Sequence, residues 1–181
     1  LALARELAGK RLRRTVRLIS FGTEEQLSVG SAAYVARHRP TPRDIGLVVN
    51  FDSISSPLGH WWMFVSGEER FARYAIDGLA RRGLDVDAKR ELCPFSDQFP
   101  FNRAGIPSLW FMRVNFPGGR WQHHSPHDTL ENVSEVPVQQ LLTAVHPFVT
   151  QLAQSAKWPF AAQLSPAQHT EAKRIGRELY G

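Results

Sequence analysis

Carboxylates and histidines at three separated places are the residues of this sequence best suited to chemistry. Glu24 and Glu25 directly follow the apolar run Val16 to Phe21, and Asp52 closes the next apolar run. The loop His123 to Asp128 holds three histidines and an aspartate. Carboxylate oxygens and imidazole nitrogens form the mixed ligand set that zinc accepts, and such a set leaves room for a bound water. The pattern therefore predicts metal-assisted hydrolysis with that water as the nucleophile.

Each of these features also has a plain structural interpretation when it is taken alone. Glu24 and Glu25 could begin a helix, where acidic residues are favoured. Asp52 could be a turn residue that bonds its own backbone, and surface loops also collect histidine. Two adjacent carboxylates at the end of a buried strand repel each other, however, and a nearby cation is needed to keep both ionised. The combination of the three places favours a functional site.

Several other functional classes are excluded. The sequence lacks the HExxH pattern of other zinc peptidases and the Gly-x-Ser-x-Gly pattern of α/β-hydrolases. Its single cysteine, Cys93, has no basic neighbour in sequence and cannot form an intramolecular disulfide. The formal net charge is +5, but the basic residues are scattered, which indicates solvated surface charge rather than a nucleic-acid partner. No apolar run approaches about 18 residues, so the sequence predicts no membrane span.

Strands and helices alternate along the chain, which predicts an α/β fold. The predicted strands are the apolar runs Val16 to Phe21, Ile45 to Phe51, Trp61 to Val65 and Pro107 to Arg113, with Asp85 to Glu91 as an edge strand. The predicted helices are Ser31 to His38, Glu68 to Arg82 and Val138 to Lys157, the last with a kink at Pro147. We expect a three-layer sandwich in which helices cover both faces of a mostly parallel, mixed central sheet. Ligand sites in such sheets gather beyond the carboxyl ends of the strands.

The pattern changes near Trp158, and this predicts two parts of unequal size. Residues 1–157 form the main domain, and residues 158–181 form an appendage or linker with a short helix. Ser165 is the predicted N-cap of that helix, because Pro166 follows it in the first turn. At the other end, Leu1 to Ala8 is typical of the tail of an amphipathic helix rather than of a signal peptide. We therefore expect the natural N-terminus to lie upstream.

Four separated motifs, taken in order, resemble those of the M28 zinc aminopeptidases. They are Arg14 to Gln26 with Gly30-Ser31 and Tyr34-Val35, then Asn50-Phe51-Asp52, then Ser96 to Phe101 with Ala104 to Pro107, and last His124 to Leu130. The resemblance runs from about residue 1 to residue 155 and leaves the tail after Trp158 uncovered. It implies a zinc-exopeptidase-like sandwich, a peptide as substrate, hydrolysis of the N-terminal peptide bond, and a secreted or periplasmic location.

Carried over position by position, the resemblance also implies a role for each candidate residue. Glu24 is the general base, Glu25 and His124 are ligands of one zinc ion, and Asp52 is a ligand of a second zinc ion. In the family, a histidine and an aspartate that bridges the two metals come earlier in the chain, and neither can be placed in this sequence. The resemblance therefore implies the C-terminal part of a catalytic domain, inactive as a fragment.

The sequence departs from the family pattern around the substrate. His123 stands where the family often carries a tyrosine, and Gln98 replaces a histidine often found after the Ser96-Asp97 pair. We expect Ser96, Asp97 and His123 to lie in the substrate-binding region. Four large aromatic side chains fit either an apolar substrate pocket or the core: Phe95, Phe99, Phe101 and Trp110.

Two other functions stay open at this point. A glutaminyl-cyclase-like acyltransferase has the same fold and uses a single zinc ion, although the Gly22-Thr23-Glu24-Glu25 context fits the peptidases better. A non-catalytic domain of this fold could bind a partner after losing its metals. Retention of Glu24, Glu25, Asp52 and His124 argues against that loss, because buried charges without a cation are costly.

Overall fold

A computed structural model describes residues 1–114 and 123–180, and these residues form one mixed sheet with helices around it. The strands are β1 (Val48–Phe51), β2 (His60–Ser66), β3 (Asp87–Lys89) and β4 (Ser108–Val114). The helices are α1 (Ala2–Leu7), α2 (Val29–His38), α3 (Glu69–Ala80), α4 (Phe99–Arg103), α5 (Glu135–Gln154) and α6 (Pro166–Tyr180), and a 3-10 turn covers Leu130–Asn132. No helix in this described part is long and apolar enough to cross a bilayer.

The four strands lie in the order β1, β4, β2, β3. β1 pairs in parallel with β4, and β2 pairs in parallel with β3, whereas β2 and β4 are antiparallel. The mixed α/β class predicted from the sequence is therefore confirmed, and β3 occupies the edge position expected of it. β1 begins three residues later than the apolar run that predicted it, at Val48 instead of Ile45.

The strand predicted over Val16 to Phe21 is wrong, because the structure assigns no strand there. Leu18 and Ile19 are 54% and 42% exposed, so the segment is not the buried strand that its apolar run indicated. An apolar run supplies side chains for a core but not a neighbour for its backbone groups, and pairing with such a neighbour is what makes a strand. Among the described residues, the segment gains no such neighbour.

One face of the sheet carries the main core. Side chains of alternate residues on β2 and β4, such as Met63 and Phe111, are fully buried against residues of α3 and α5. Phe71 and Leu79 of α3 and Phe148 of α5 supply much of that contact surface. This alternation puts the intervening residues of each strand on the opposite face.

The opposite face is covered by the segment before α4 and by α4 itself. Phe64 and Trp110 stack there with ring centroids 4.7 Å apart, and Cys93 packs against their cluster. Asn102 of α4 donates from Nδ2 to the hydroxyl of Ser108 at 3.0 Å, which fixes α4 to the start of β4. Because α4 packs in turn against α2 and α6, helices lie on both sides of the sheet.

The segment after Trp158 packs on this sandwich. Phe160 is buried in the main core, and its ring centroid lies 4.5 Å from that of Phe71. Gln168 of α6 accepts from the backbone N–H of Gly67 at 2.8 Å and donates to the carbonyl of Arg90 at 3.0 Å. The helix begins at Pro166 as predicted, and the hydroxyl of Ser165 accepts from the backbone N–H of Gln168 at 3.2 Å.

Candidate active site

A tight turn before α2 positions Glu24 and Glu25. Thr23, Leu27 and Ser28 have left-handed φ values of 57°, 59° and 55°, and the backbone N–H of Ser28 donates to the carbonyl of Glu24 at 2.7 Å. The turn also depends on the first turn of α2. A Cβ at Gly30 would overlap the carbonyl oxygen of Gly22, so glycine lets α2 approach the turn this closely.

Glu25 and His124 contact each other across the site. His124 Nε2 lies 2.7 Å from Glu25 Oε2, and the two side chains are 61% and 67% exposed, respectively. His124 also has a left-handed φ of 57°, and its ring stacks on that of His123 with centroids 3.7 Å apart. The contact brings together two residues for which the family resemblance implies a role as ligands of one ion, and it joins two loops far apart in the chain.

Asp52 belongs to a second, more buried cluster at the end of β1. The hydroxyl of Ser96 donates to Asp52 Oδ2 at 2.6 Å and accepts from Asn50 Nδ2 at 2.7 Å. Asn50 Nδ2 also lies 3.0 Å from Oε1 of Gln98, and Nε2 of Gln98 donates to the carbonyl of Cys93 at 3.0 Å. One carboxylate oxygen of Asp52 is thereby held in place by a side chain that is itself fully buried.

The electrostatics show that the two clusters are neighbours. The pKa of Glu24 is raised to about 7, first by burial and then by the negative charges of Asp52, Glu25 and Asp97, whereas His124 lowers it. One charge shifts the pKa of another group appreciably only when the two groups lie close together and are poorly screened by solvent. Side chains from the turn before α2, the end of β1 and the histidine loop therefore lie within electrostatic reach of Glu24.

Asp97 is the fourth carboxylate of this region. Burial raises its pKa, a hydrogen bond from Ser31 lowers it, and the charge of Asp52 raises it again. The hydroxyl of Ser31 also lies 3.1 Å from the carbonyl of Ser28, so its one proton is shared between the two acceptors. The Oδ1 atom of Asp97 is shielded from solvent and has no hydrogen-bond partner among residues 1–114 and 123–180.

The donor types of these residues suit zinc, but their number does not complete a site. Carboxylates and an imidazole are suitable ligands, and zinc takes three or four of them from a protein. Over residues 1–114 and 123–180, no group of three histidine, cysteine, aspartate or glutamate side chains is arranged to hold an ion. These residues form at most part of a metal centre.

The surroundings of the site separate core residues from exposed ones. Phe99, Phe101 and Trp110 are buried, so they belong to the core rather than to an open pocket, whereas Phe95 is 63% exposed. Ser96 is buried as well and is bonded to Asp52 and Asn50. Trp121 and Gln122, which precede His123, lie outside the described residues.

Sequence reasoning missed one residue near the site, Tyr180 at the end of α6. Burial raises the pKa of Tyr180, Arg103 lowers it, and the charges of Glu24 and Asp97 raise it. No local pattern around Tyr180 signals this, because the contact depends on how α6 packs. Asn50 was missed only in part: its motif is among those named from the sequence, but the hydrogen bond from Asn50 to Ser96 was not predicted.

Comparison with known proteins identifies the class to which this arrangement belongs. The chain is a member of peptidase family M28, whose sequence profile matches residues 1–149. No curated protein matches the chain significantly in sequence.

Solved structures of aminopeptidases share the fold. The zinc aminopeptidase BSAP from Bacillus subtilis is 22% identical with a TM-score of 0.73, and the match covers 88% of this chain and 41% of BSAP. The LapA aminopeptidase of Legionella pneumophila is 18% identical with a TM-score of 0.71, over 83% of this chain and 42% of LapA. An aminopeptidase from Aneurinibacillus sp. strain AM-1 is 21% identical with a TM-score of 0.60, over 80% of this chain and 35% of that enzyme. This chain thus spans less than half the length of these enzymes.

Proposed function

We propose that this chain is part of a zinc-dependent exopeptidase that hydrolyses the N-terminal peptide bond of its substrates. The observation that carries the proposal is the convergence of Glu25, His124 and Asp52 on the half-buried carboxyl of Glu24. Membership of peptidase family M28 and the folds shared with zinc aminopeptidases support the reaction class.

In this proposal, Glu25, His124 and Asp52 are zinc ligands, and the other ligands come from residues that are not in this sequence. Zinc held there supplies a Lewis acid that acidifies a bound water and polarises the peptide carbonyl. The direct contact of His124 with Glu25 keeps two ligands together, and Ser96 orients Asp52. Because these residues supply too few ligands for a tight site, we expect the chain alone to be inactive.

Glu24 is the proposed general base and, later, the general acid. It accepts a proton from the attacking water and returns it to the leaving amine. A carboxyl suits this exchange when its pKa lies near neutral pH, and burial together with three carboxylate neighbours moves the pKa of Glu24 in that direction.

The experiment compares Glu24→Gln with the parent in the complete, zinc-loaded protein. We expect hydrolysis of an aminoacyl p-nitroanilide to fall at least about 100-fold, because a general base contributes that much, while bound zinc measured by atomic absorption stays constant. Glu69→Gln, at the exposed start of α3, is the matched control and should keep the parental rate. A Glu24→Gln variant with the parental rate would show that Glu24 is not the base, and one without zinc would show that Glu24 is a ligand.

The same preparation separates the alternative reactions. Two zinc ions per protein with release of free amino acids support the proposal. One zinc ion with formation of pyroglutamate from an N-terminal glutamine would instead indicate a cyclising acyltransferase. Absence of zinc and of both products in the complete protein would indicate a non-catalytic domain.

A further inference from the structure

Tyr180, at the C-terminal end of α6, is held firmly beside the candidate site. Its ring stacks on that of Phe99 with centroids 6.2 Å apart and planes 18° from parallel. The guanidinium of Arg103 lies 4.9 Å from the centroid of the Tyr180 ring. Phe99 and Arg103 are the two ends of α4, which directly follows the Ser96-Asp97-Gln98 segment. The phenol is therefore fixed against the helix that carries this segment.

α6 can approach α4 this closely because it presents small residues. Ala172 is buried against Phe99 in one cluster, and a Cβ at Gly176 would overlap the side chain of Arg103. Tyr180 follows one turn after Gly176, so the same close approach brings its ring onto Phe99. α6 lies beyond residue 149, where the match to the family profile ends.

Two buried polar atoms near this contact, one a hydrogen-bond donor and the other an acceptor, are the feature of interest. The hydroxyl of Tyr180 and the Oδ1 atom of Asp97 are both shielded from solvent, and neither has a hydrogen-bond partner in the part of the chain that the structure describes. A phenol at neutral pH donates, and a carboxylate oxygen accepts. Leaving either atom unpaired in a buried place is unfavourable, and buried groups of this kind are nearly always satisfied by protein or by an ordered water.

The same two groups also lie within electrostatic reach of each other. Burial raises the pKa of Tyr180, Arg103 lowers it, and the charges of Glu24 and Asp97 raise it. A phenol is protonated at neutral pH, and the raised pKa of Tyr180 leaves it a donor there. Asp97 is adjacent to Ser96, whose hydroxyl donates to Asp52.

We propose that Tyr180 is a positioning residue of the site, whose hydroxyl is joined to Asp97 Oδ1 by hydrogen bonds through one bridging water. By holding Asp97, it fixes the neighbouring Ser96 and thus the carboxylate of Asp52, next to Glu24. In this proposal α6 contributes to the site, because its last residue positions Asp97. An effect of Tyr180 on hydrolysis rests on the proposed function, whereas the link between Tyr180 and Asp97 does not depend on it.

The first test is a double-mutant cycle on the metal-free chain with Tyr180→Phe and Asp97→Ala. We expect each single change to raise the unfolding equilibrium constant, and the double change to raise it at least about fivefold less than the product of the single effects. Tyr74→Phe is the control, because Tyr74 packs against Phe148 and Phe160 on the other face of the sheet. Its coupling to Asp97→Ala should be within about 1.5-fold of none. Equal couplings for Tyr180 and Tyr74 would overturn the proposal.

The second test follows ionisation of the phenols by ultraviolet absorbance and does not require Tyr180→Phe to fold. The chain has three tyrosines, and we expect the pKa of Tyr180 to shift downward in Asp97→Asn, because the negative charge of Asp97 raises it in the parent. A titration unchanged by Asp97→Asn would also overturn the proposal. Both tests are made without zinc or substrate, so they can fail while the complete protein still hydrolyses peptides, and they can succeed if it does not.

Discussion

The candidate site has two halves that are built differently. The sheet-built half consists of Asn50, Asp52 and Ser96, where a buried hydroxyl joins two side chains at the end of β1. The loop-built half consists of Glu24, Glu25 and His124, where two exposed side chains meet and a third is half-buried. The first half is held by the fold alone. The second is held by turns with left-handed residues and by charge. A bound cation, even with Asp52 as one of its ligands, would therefore stabilise the arrangement of the second half more than that of the first.

The largest expected effect is on the sheet-built half. Ser96→Ala leaves Asn50 Nδ2 without one of its two acceptors and Oδ2 of Asp52 without its donor, so we expect a loss of about 1–3 kcal/mol in the free energy of unfolding. His124→Ala, in the loop-built half, should change it by less than about 0.5 kcal/mol, because the side chain is largely exposed. Urea denaturation of the metal-free chain measures both. Equal losses would remove the distinction between the halves.

The next effect comes from the glycine that lets α2 approach the turn. Gly30→Ala forces the turn away from α2, and we expect a net loss of about 1–2 kcal/mol after the usual helical gain of alanine over glycine. Gly22→Ala is the matched control, because a Cβ there meets nothing within 4 Å. Thermal unfolding of the two variants gives the comparison. If Gly30→Ala were as stable as Gly22→Ala, the close approach of α2 to the turn would be wrong.

The third prediction concerns pH and the half-buried base. The pKa of Glu24 is about 7 in the folded chain against an ordinary 4.5, so the folded state holds a proton that the unfolded state releases. The resulting stabilisation is complete below about pH 4.5 and is lost as the pH rises through about 7. Glu24→Gln stays neutral throughout.

Without metal, Glu24→Gln should therefore be more stable than the parent at pH 8 and nearly equal to it at pH 5. Because Glu24 is only partly buried, we expect solvent screening to keep the difference to about 1 kcal/mol at most. Glu69→Gln is the control for replacing an exposed glutamate by glutamine. An advantage of Glu24→Gln that shrinks with rising pH would contradict the repulsion among these carboxylates.

The smallest effect is expected for the contact between Glu25 and His124. A double-mutant cycle with Glu25→Gln and His124→Gln should give a coupling below about 1 kcal/mol, because both side chains are exposed. High salt should reduce the coupling further. A coupling above about 2 kcal/mol in the metal-free chain would mean that the loop-built half is as firmly held as the sheet-built half.

The sequence correctly predicts those strands and helices whose own residues carry a clear apolar pattern. β2 and β4 are apolar on both faces because helices and loops cover both, and α5 keeps its pattern through Pro147. Val16 to Phe21 has a similar pattern but becomes no strand, because pairing depends on a neighbour that the local sequence cannot specify.

The same limit applies to the site. Glu24, Glu25, Asp52 and His124 were named from short motifs, and the structure brings them within electrostatic reach. The hydrogen bond from Asn50 to Ser96 and the position of Tyr180 were not foreseen, since they depend on how distant segments pack. Side-chain chemistry is readable from motifs, whereas orientation is a tertiary property.

The hydrogen bonds of Gln168 determine what we expect when a protease cuts the chain just before α6. Its side-chain amide forms hydrogen bonds with two loop backbones, at Gly67 and Arg90, while Phe160 lies in the core before the stretch 161–163, in which Ala161 and Gln163 are exposed. A protease nick in that stretch would sever the covalent connection but leave each end anchored separately. The terminal helix should then remain bound to the nicked body and co-elute with it, parting only under denaturant.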